Sequence, residues 1–89
     1  MDWKVRLSDR ARKDLRKLDQ QVSERVLKFF HDRREGRNDP RSIGAALKGS
    51  ELGEFWKYRI GDWRAVCSIQ DETVIILVLT VHHRSQAYQ

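Results

Sequence analysis

The sequence predicts an α+β fold of two layers, in which a strand, two helices and a three-stranded antiparallel meander follow one another along the chain. Three observations support this order. Apolar residues alternate with charged ones at the start of the chain, recur at helical spacing from residue 9 to residue 34, and return in three short runs after residue 53. Strands that follow a pair of helices are typical of an α+β domain, so residues 1–89 are expected to form one domain.

The first strand and the two helices have recognisable start signals. The period of a half-buried strand appears at three apolar residues: Trp3, Val5 and Leu7. Ser8 then stands at the N-cap of a helix that is expected over residues 9–18. A second amphipathic helix is expected to reach about residue 34, because four apolar residues recur on one face: Val22, Val26, Phe29 and Phe30. The two helices should form an antiparallel hairpin that lies on the sheet.

The second half of the chain is expected to consist mainly of strands. Residues 36–40 have the composition of a linker, residues 42–47 are expected to form a short helical turn, and residues 48–53 a loop. Strands are then predicted over three ranges: 54–60, 63–70 and 73–82. The last strand is apolar almost throughout (VIILVLTV), as expected of a central strand.

Composition excludes several classes of protein. The chain has 89 residues, 39% of them hydrophobic and 35% charged, which is typical of a small folded domain rather than a disordered one. Its single cysteine, Cys67, cannot form an internal disulfide and is expected to be a small buried apolar residue. The charged N-terminus does not resemble a signal peptide, and the longest apolar run, residues 74–79, is too short to cross a bilayer. These features predict a cytoplasmic protein that has no membrane partner.

The net charge of +5 favours an anionic partner, either nucleic acid or an acidic protein. The first helix carries basic residues that form either a solvated face or contacts with an RNA backbone: Arg10, Arg12, Lys13, Arg16 and Lys17. His82 and His83 lack a third ligand at a suitable spacing, so no metal site is predicted, although either imidazole titrates near neutral pH. Tyr88 is either a frayed tail residue or one that stacks on a base.

The octapeptide KYRIGDWR predicts a β-hairpin. Its central Gly-Asp pair fits a type II′ turn, which places Arg59 directly opposite Arg64. Alternation along the strands then directs one set of side chains into the core: Trp56, Tyr58, Ile60, Trp63, Ala65 and Cys67. Lys57 shares the other face with the two arginines. Opposed like charges destabilise a sheet by up to about 1 kcal/mol, so either the arginines splay into water or a phosphate bridges them, since guanidinium groups bind phosphate bidentately.

Four segments together resemble the RelE branch of the RelE/ParE superfamily of bacterial toxins: KLD, ALKG, FWKYRIGDWRAVCSIQD and VIILVLTVHHRSQAY. The resemblance covers essentially the whole chain, and RIGDWR and HHR…Y are its most specific parts. It implies a fold like that of compact microbial ribonucleases. It also implies that the protein enters the ribosomal A site and cuts translated mRNA without a cofactor, by attack of the 2′-hydroxyl on the adjacent phosphate to leave a 2′,3′-cyclic phosphate.

The resemblance also implies roles for individual residues. Arg64 and Arg84 match arginines that stabilise the reacting phosphate, and Lys57 matches a lysine that orients or activates the 2′-hydroxyl. Tyr88 matches the C-terminal tyrosine, which stacks on the substrate or positions it. This chemistry needs a base for the hydroxyl, positive charge for the phosphate oxygens and an acid for the leaving group.

Two features depart from the family pattern. Phe55 stands where the best-known members have a second lysine, and Arg84 and Tyr88 are two residues closer together than in those members. His83, or less favourably His82, is therefore a candidate for the proton transfer. Contacts with RNA or the ribosome are expected from six basic residues: Arg59, Lys48, Arg12, Lys13, Arg16 and Lys17.

The resemblance to RelE toxins implies two partners. One is the 70S ribosome with mRNA in its A site, and the other is a separate acidic antitoxin of the RelB type that neutralises the basic surface. No direct sequence-specific DNA binding by this chain is expected. Two other functions remain open at this point. One is inhibition of DNA gyrase without RNA cleavage, as in ParE toxins, and the other is a basic protein-binding module that has no activity of its own.

Overall fold

The first 34 residues contain a strand and two helices: β1 (Lys4–Leu7), α1 (Asp9–Arg16) and α2 (Gln20–Arg34). The structure is a computed structural model that describes residues 3–34, 40–41, 43–46 and 55–86. Ser8 is the N-cap of α1, and its Oγ accepts a hydrogen bond from the Ala11 N–H at 3.0 Å. α1 ends two residues before its predicted end, because the next two N–H groups bond carbonyls three residues back and tighten the last turn. Within the described ranges, no helix is long and apolar enough to cross a membrane.

The remaining elements form the rest of one five-stranded sheet: β2 (Ala45–Ala46), β3 (Phe55–Ile60), β4 (Trp63–Gln70) and β5 (Ile75–His83). A single 3₁₀ turn, Arg84–Gln86, follows β5. The strand order is β1-β5-β4-β3-β2, with β1 parallel to β5 and the other pairs antiparallel. The predicted α+β order and the three-stranded meander are confirmed, and the apolar β5 lies inside the sheet.

The helical turn predicted over residues 42–47 is wrong, because its described part includes the short strand β2. Gly44 permits this conformation with a φ of +78°, and a Cβ there would lie 2.6 Å from the carbonyl oxygen of Lys57. Trp56 Nε1 donates a hydrogen bond to the Ile43 carbonyl at 2.7 Å and fixes the segment to β3. Only a glycine tolerates both the positive φ and the close backbone approach, so β2 depends on a contact that local helical spacing does not reveal.

The core lies between the two helices and one face of the sheet. Its buried apolar residues come from α1, α2 and the three long strands: Ala11, Leu15, Val26, Phe30, Tyr58, Ile60, Ala65, Cys67, Ile76, Val78 and Val81. Cys67 is fully buried, as predicted, and burial raises the pKa of its thiol. The Tyr58 hydroxyl donates to the Pro40 carbonyl at 2.6 Å within this core. Both helices pack on this face, and we call the opposite face of the sheet the open face.

Candidate nucleic-acid interface

The β3–β4 hairpin has the predicted register. Arg59 pairs with Arg64, Lys57 with Val66 and Ile60 with Trp63. Gly61 has a φ of +59° at the first central position of the turn, as a type II′ turn requires. The two arginines therefore lie directly opposite each other on the open face, with Lys57 one position further along the same face.

No acidic side chain neutralises this opposed pair among the described residues. The salt bridges there involve other basic residues, and Arg59 is exposed. Arg64 Nη1 instead donates to two backbone carbonyls at the turn, that of Gly61 at 3.0 Å and that of Trp63 at 2.9 Å. The guanidinium is thus held at the turn by neutral partners, and its positive charge is available to an anion.

The same face extends across the sheet to β1. Arg6 pairs with Leu77, Leu77 with Ser68 and Ser68 with Phe55, so these four side chains form one row of the open face. Lys4 lies two residues before Arg6 on the same face, and both are exposed. The described strand positions of the open face include five basic residues and no Asp or Glu: Lys4, Arg6, Lys57, Arg59 and Arg64. Sequence reasoning missed the two basic residues of β1, although their alternation with Val5 and Leu7 was the available signal.

A β-bulge in β5 determines which histidine joins this face. Val66 pairs with Thr80 but Cys67 pairs with Val78, so Leu79 is an extra residue that has no partner on β4. The bulge shifts the alternation by one position, and His82 consequently pairs with Arg64 on the open face. Burial lowers the pKa of His82 below its ordinary value of 6.5, and the nearby charges of Arg64 and Lys57 act in the same direction, whereas Asp14 opposes them.

His83 lies on the opposite side of the strand, although the sequence favoured it over His82 for the proton transfer. It pairs with Trp63, and the two rings meet edge to face with centroids 5.1 Å apart. Its Nδ1 lies 2.8 Å from the Ser85 hydroxyl. Because of the bulge, His82 is the histidine that shares a face with Arg64.

Arg84 lies beside the hairpin turn at the end of β5. Its N–H donates to the Asp62 carbonyl at 2.8 Å, and its Nε is 3.6 Å from the Asp62 carboxylate. Both side chains are more than 60% exposed, so this ion pair contributes little and an incoming phosphate can displace it. The structure therefore brings Arg84 to the same end of the sheet as Arg64.

The other predicted contacts are not part of this cluster. The predicted RNA contacts of the first helix are exposed and belong to the helical layer: Arg12, Lys13, Arg16 and the C-cap residue Lys17. Lys48 and Tyr88 lie outside the described residues. Basic residues thus lie both on the sheet and on α1, and Lys17 lines a cavity together with His82.

Comparison with known proteins identifies the family. A sequence profile described as "ParE toxin of type II toxin-antitoxin system, parDE" matches residues 5–88. Toxin RelG of Mycobacterium tuberculosis is 32% identical over 90 residues, which cover 100% of this chain and 99% of RelG. The chain belongs to the RelE/ParE superfamily of type II toxin–antitoxin toxins. The resemblance to the RelE branch is thereby confirmed.

Solved structures agree with this assignment. The toxin is similar to a chain of the toxin–antitoxin complex RelBE2 of M. tuberculosis, with 32% identity, a TM-score of 0.81 and coverage of 94% of this chain and 100% of that chain. It is also similar to a chain of the RelE–RelB complex of Pyrococcus horikoshii, with 25% identity, a TM-score of 0.73 and coverage of 98% and 100%. The protein is therefore a toxin of the RelE family, and its fold extends over nearly the whole chain.

The lowered pKa of His82 has a consequence for the stability of the toxin. Between its folded and unfolded pKa values the unfolded state binds more protons, so the free energy of unfolding should fall as the pH drops through the ordinary histidine pKa of 6.5. Arg41 holds the pKa of Asp71 below its usual range, and that contribution is lost only at more acid pH. Urea unfolding at several pH values measures the effect, and His82→Gln should flatten the profile around the ordinary histidine pKa of 6.5. An unchanged slope in that variant would show that another group is responsible.

Proposed function

We propose that the toxin is a ribosome-dependent endoribonuclease that cleaves translated mRNA in the A site. The observation that carries this proposal is one row of the open face, in which Arg59, Arg64 and His82 lie side by side across three strands. Lys57 occupies the next row. Two opposed guanidinium groups that lack a described acidic partner suit a phosphate, because a shared anion removes their repulsion and accepts their hydrogen bonds.

The proposed reaction is attack of the 2′-hydroxyl of RNA on the adjacent phosphate, which forms a 2′,3′-cyclic phosphate and breaks the bond from phosphorus to the 5′-oxygen of the next nucleotide. That oxygen takes up a proton from water and leaves as a 5′-hydroxyl. Arg64 and Arg84 stabilise the negative charge that develops on the phosphate oxygens, and Lys57 orients the hydroxyl. His82 takes the place that the sequence favoured for His83, since its lowered pKa keeps the imidazole neutral and able to accept a proton at neutral pH. Tyr88 remains a proposal for substrate positioning.

Other basic residues of the toxin hold the RNA and the ribosome in this proposal. On the open face, Arg59 contacts the substrate backbone, and Lys4 and Arg6 extend the positive surface to the far edge of the sheet. The exposed basic residues of α1, together with Lys48, contact ribosomal RNA. Such contacts with phosphates are strongly salt-dependent and independent of sequence. The ribosome as target places the toxin in the cytoplasm.

A separate acidic antitoxin is the second proposed partner. The relatives from M. tuberculosis and P. horikoshii were solved as complexes with antitoxins, RelBE2 and RelE–RelB, and this supports a RelB-like partner here. Acidic residues laid over the open face would supply the counter-charge that the described residues of this face lack. The antitoxin and the RNA would then compete for Arg59 and Arg64.

Inhibition of DNA gyrase is the alternative, because the matching family profile is that of ParE toxins. Expression of the toxin in bacterial cells, followed by mapping of mRNA 5′ ends, separates the two functions. Cleavage predicts new 5′ ends that are phased with codons and confined to translated regions. Intact mRNA together with a DNA-damage response would contradict the proposal and favour gyrase inhibition.

A further inference from the structure

The end of β5 that carries His82 pairs with β4 on one side, but on its other side it lies beside α1 rather than beside a strand. β1 pairs with β5 only up to the pair Leu7–Val78. Beyond this point, the edge of β5 that faces away from β4 lies beside α1. Hydrogen bonds of this edge therefore have to come from other parts of the chain or from solvent, and among the described residues they come from Ser8, Asp14 and Gln86.

Three hydrogen bonds from the α1 region hold this edge on both sides of the bulge. The Ser8 N–H donates to the Val78 carbonyl at 2.9 Å, and the Ser8 hydroxyl donates to the Leu79 carbonyl at 2.8 Å. On the far side of the bulge, the Val81 N–H donates to Oδ2 of Asp14 at 3.0 Å. Ser8 and Asp14 therefore enclose the extra residue and fix the position at which the alternation shifts.

Asp14 is suited to this task by its burial and by its second partner. Its side chain is only 14% exposed, and its Oδ1 accepts a hydrogen bond from Arg10 Nε at 3.1 Å. Both carboxylate oxygens are thus engaged, and a hydrogen bond to a charged acceptor is stronger than one between neutral groups. Asp14 also lines a cavity of about 520 Å³ between α1 and the end of β5, together with His82, Lys17 and Arg10.

We propose that Asp14 is a positioning residue, whose carboxylate fixes the bulged end of β5 through the Val81 N–H and so keeps His82 on the open face beside Arg64. This inference rests on the proposed nuclease function. Asp14 acts on the site through the backbone of β5 and not through direct contact with RNA. Val81 precedes His82, so a loss of the hydrogen bond at Val81 loosens the backbone that carries the imidazole. A change of one position in the alternation would turn His82 towards the helices.

The charge of Asp14 also acts on the protonation of His82, and substitutions can separate this effect from that of the hydrogen bond to Val81. Charged groups face His82 from three elements, namely Arg64 on β4, Lys57 on β3 and Asp14 on α1, and the cavity adds Arg10 and Lys17. Asp14 is the member of this set that favours the protonated imidazole. Asp14→Asn retains an oxygen acceptor for the Val81 N–H but removes the charge, whereas Asp14→Ala removes both.

Nuclear magnetic resonance on the purified toxin tests the proposal through amide exchange and histidine titration. Asp14→Ala should accelerate exchange of the Val81 amide by about tenfold or more relative to the amides of the β3–β4 hairpin, because that N–H loses its acceptor. It should also weaken the nuclear Overhauser contacts between His82 and Arg64. Asp14→Asn should retain the Val81 protection and lower the pKa of His82 further. Asp32→Asn, on the exposed side of α2, is the matched control and should leave both readouts unchanged.

A purely structural role would accelerate all core amides to the same extent in Asp14→Ala, and that result would overturn the proposal. Unchanged Val81 exchange together with an unchanged His82 titration in both variants would also overturn it. If the nuclease is confirmed, the acid limb of its pH–rate profile should move to lower pH in Asp14→Asn, in step with the pKa of His82. If the wild-type toxin cleaves no RNA while the resonance results appear as expected, the nuclease proposal fails and the positioning by Asp14 stands.

Discussion

The substitution Arg64→Ala should lower the rate of mRNA cleavage by a factor of about 100 to 1,000, the usual effect of removing one group that stabilises developing charge. Arg64 lies between Arg59 and His82 in one row of the open face, and its guanidinium bonds only backbone carbonyls of the turn among the described residues. Removal of this side chain takes away positive charge at the centre of the row. Single-turnover cleavage on ribosomes programmed with a defined mRNA measures the change.

Two comparisons make the Arg64 result specific. Lys28→Ala removes an exposed positive charge from α2 and should cleave at the wild-type rate. Arg64→Lys keeps the charge but loses the bidentate geometry, so an intermediate rate is expected. The free energy of unfolding of Arg64→Ala should stay within about 1 kcal/mol of the wild-type value, since the lost hydrogen bonds are offset by relief of the repulsion from Arg59. Wild-type cleavage by a folded Arg64→Ala variant would remove Arg64 from the site.

The substitution Phe30→Ala should reduce the free energy of unfolding by about 3–5 kcal/mol. Phe30 is 2% exposed, and its ring meets those of Phe29 and Tyr58 with centroids 5.3 Å and 5.8 Å away. Removal of the Phe30 ring leaves a cavity where α2 packs on β3. The surrounding side chains relax only partly into this cavity, so most of the lost packing is not recovered. Domains usually have about 5–15 kcal/mol of stability, so this change removes a large part of the total.

Urea unfolding of the purified variants measures this loss, and Leu27→Ala on the same helix is the matched truncation. Leu27 is 45% exposed, so its removal should cost less than about 1 kcal/mol. Equal losses in Phe30→Ala and Leu27→Ala would show that α2 does not pack on the sheet as described. A Phe30→Ala variant with wild-type stability would contradict the assignment of the core.

The parts of the fold that the sequence predicted are those with strong local signals. Ser8 marks the start of α1, and the Gly61–Asp62 turn fixes the register of β3 and β4 because a two-residue loop leaves no freedom. β2 was missed because its formation depends on Gly44 lying against the backbone of Lys57, which is a non-local contact. The pairing of β1 with β5 is likewise non-local, and the apolar pattern of the two strands does not specify it.

The candidate site was predicted only in part, because one of its features is set locally and another by non-local contacts. The opposed pair Arg59–Arg64 followed from the turn alone. The position of His82 could not be predicted in this way, because nothing in the sequence around Leu79 marks a bulge. The bulge depends on hydrogen bonds from Ser8 and Asp14, which lie some 70 residues earlier in the chain. A regular β5 without the bulge would have placed His83 instead of His82 on the open face.

In the proposed mechanism, the open face holds a phosphate of mRNA while the neighbouring 2′-hydroxyl of the RNA attacks it. The most direct measurement is analysis of the RNA ends produced by the purified toxin from a defined mRNA, with and without ribosomes. The fragments should end in a 2′,3′-cyclic phosphate, form only when ribosomes are present and be lost in Arg64→Ala. Fragments that carry a 3′-hydroxyl, or an mRNA that stays intact while DNA gyrase is inhibited, would contradict it.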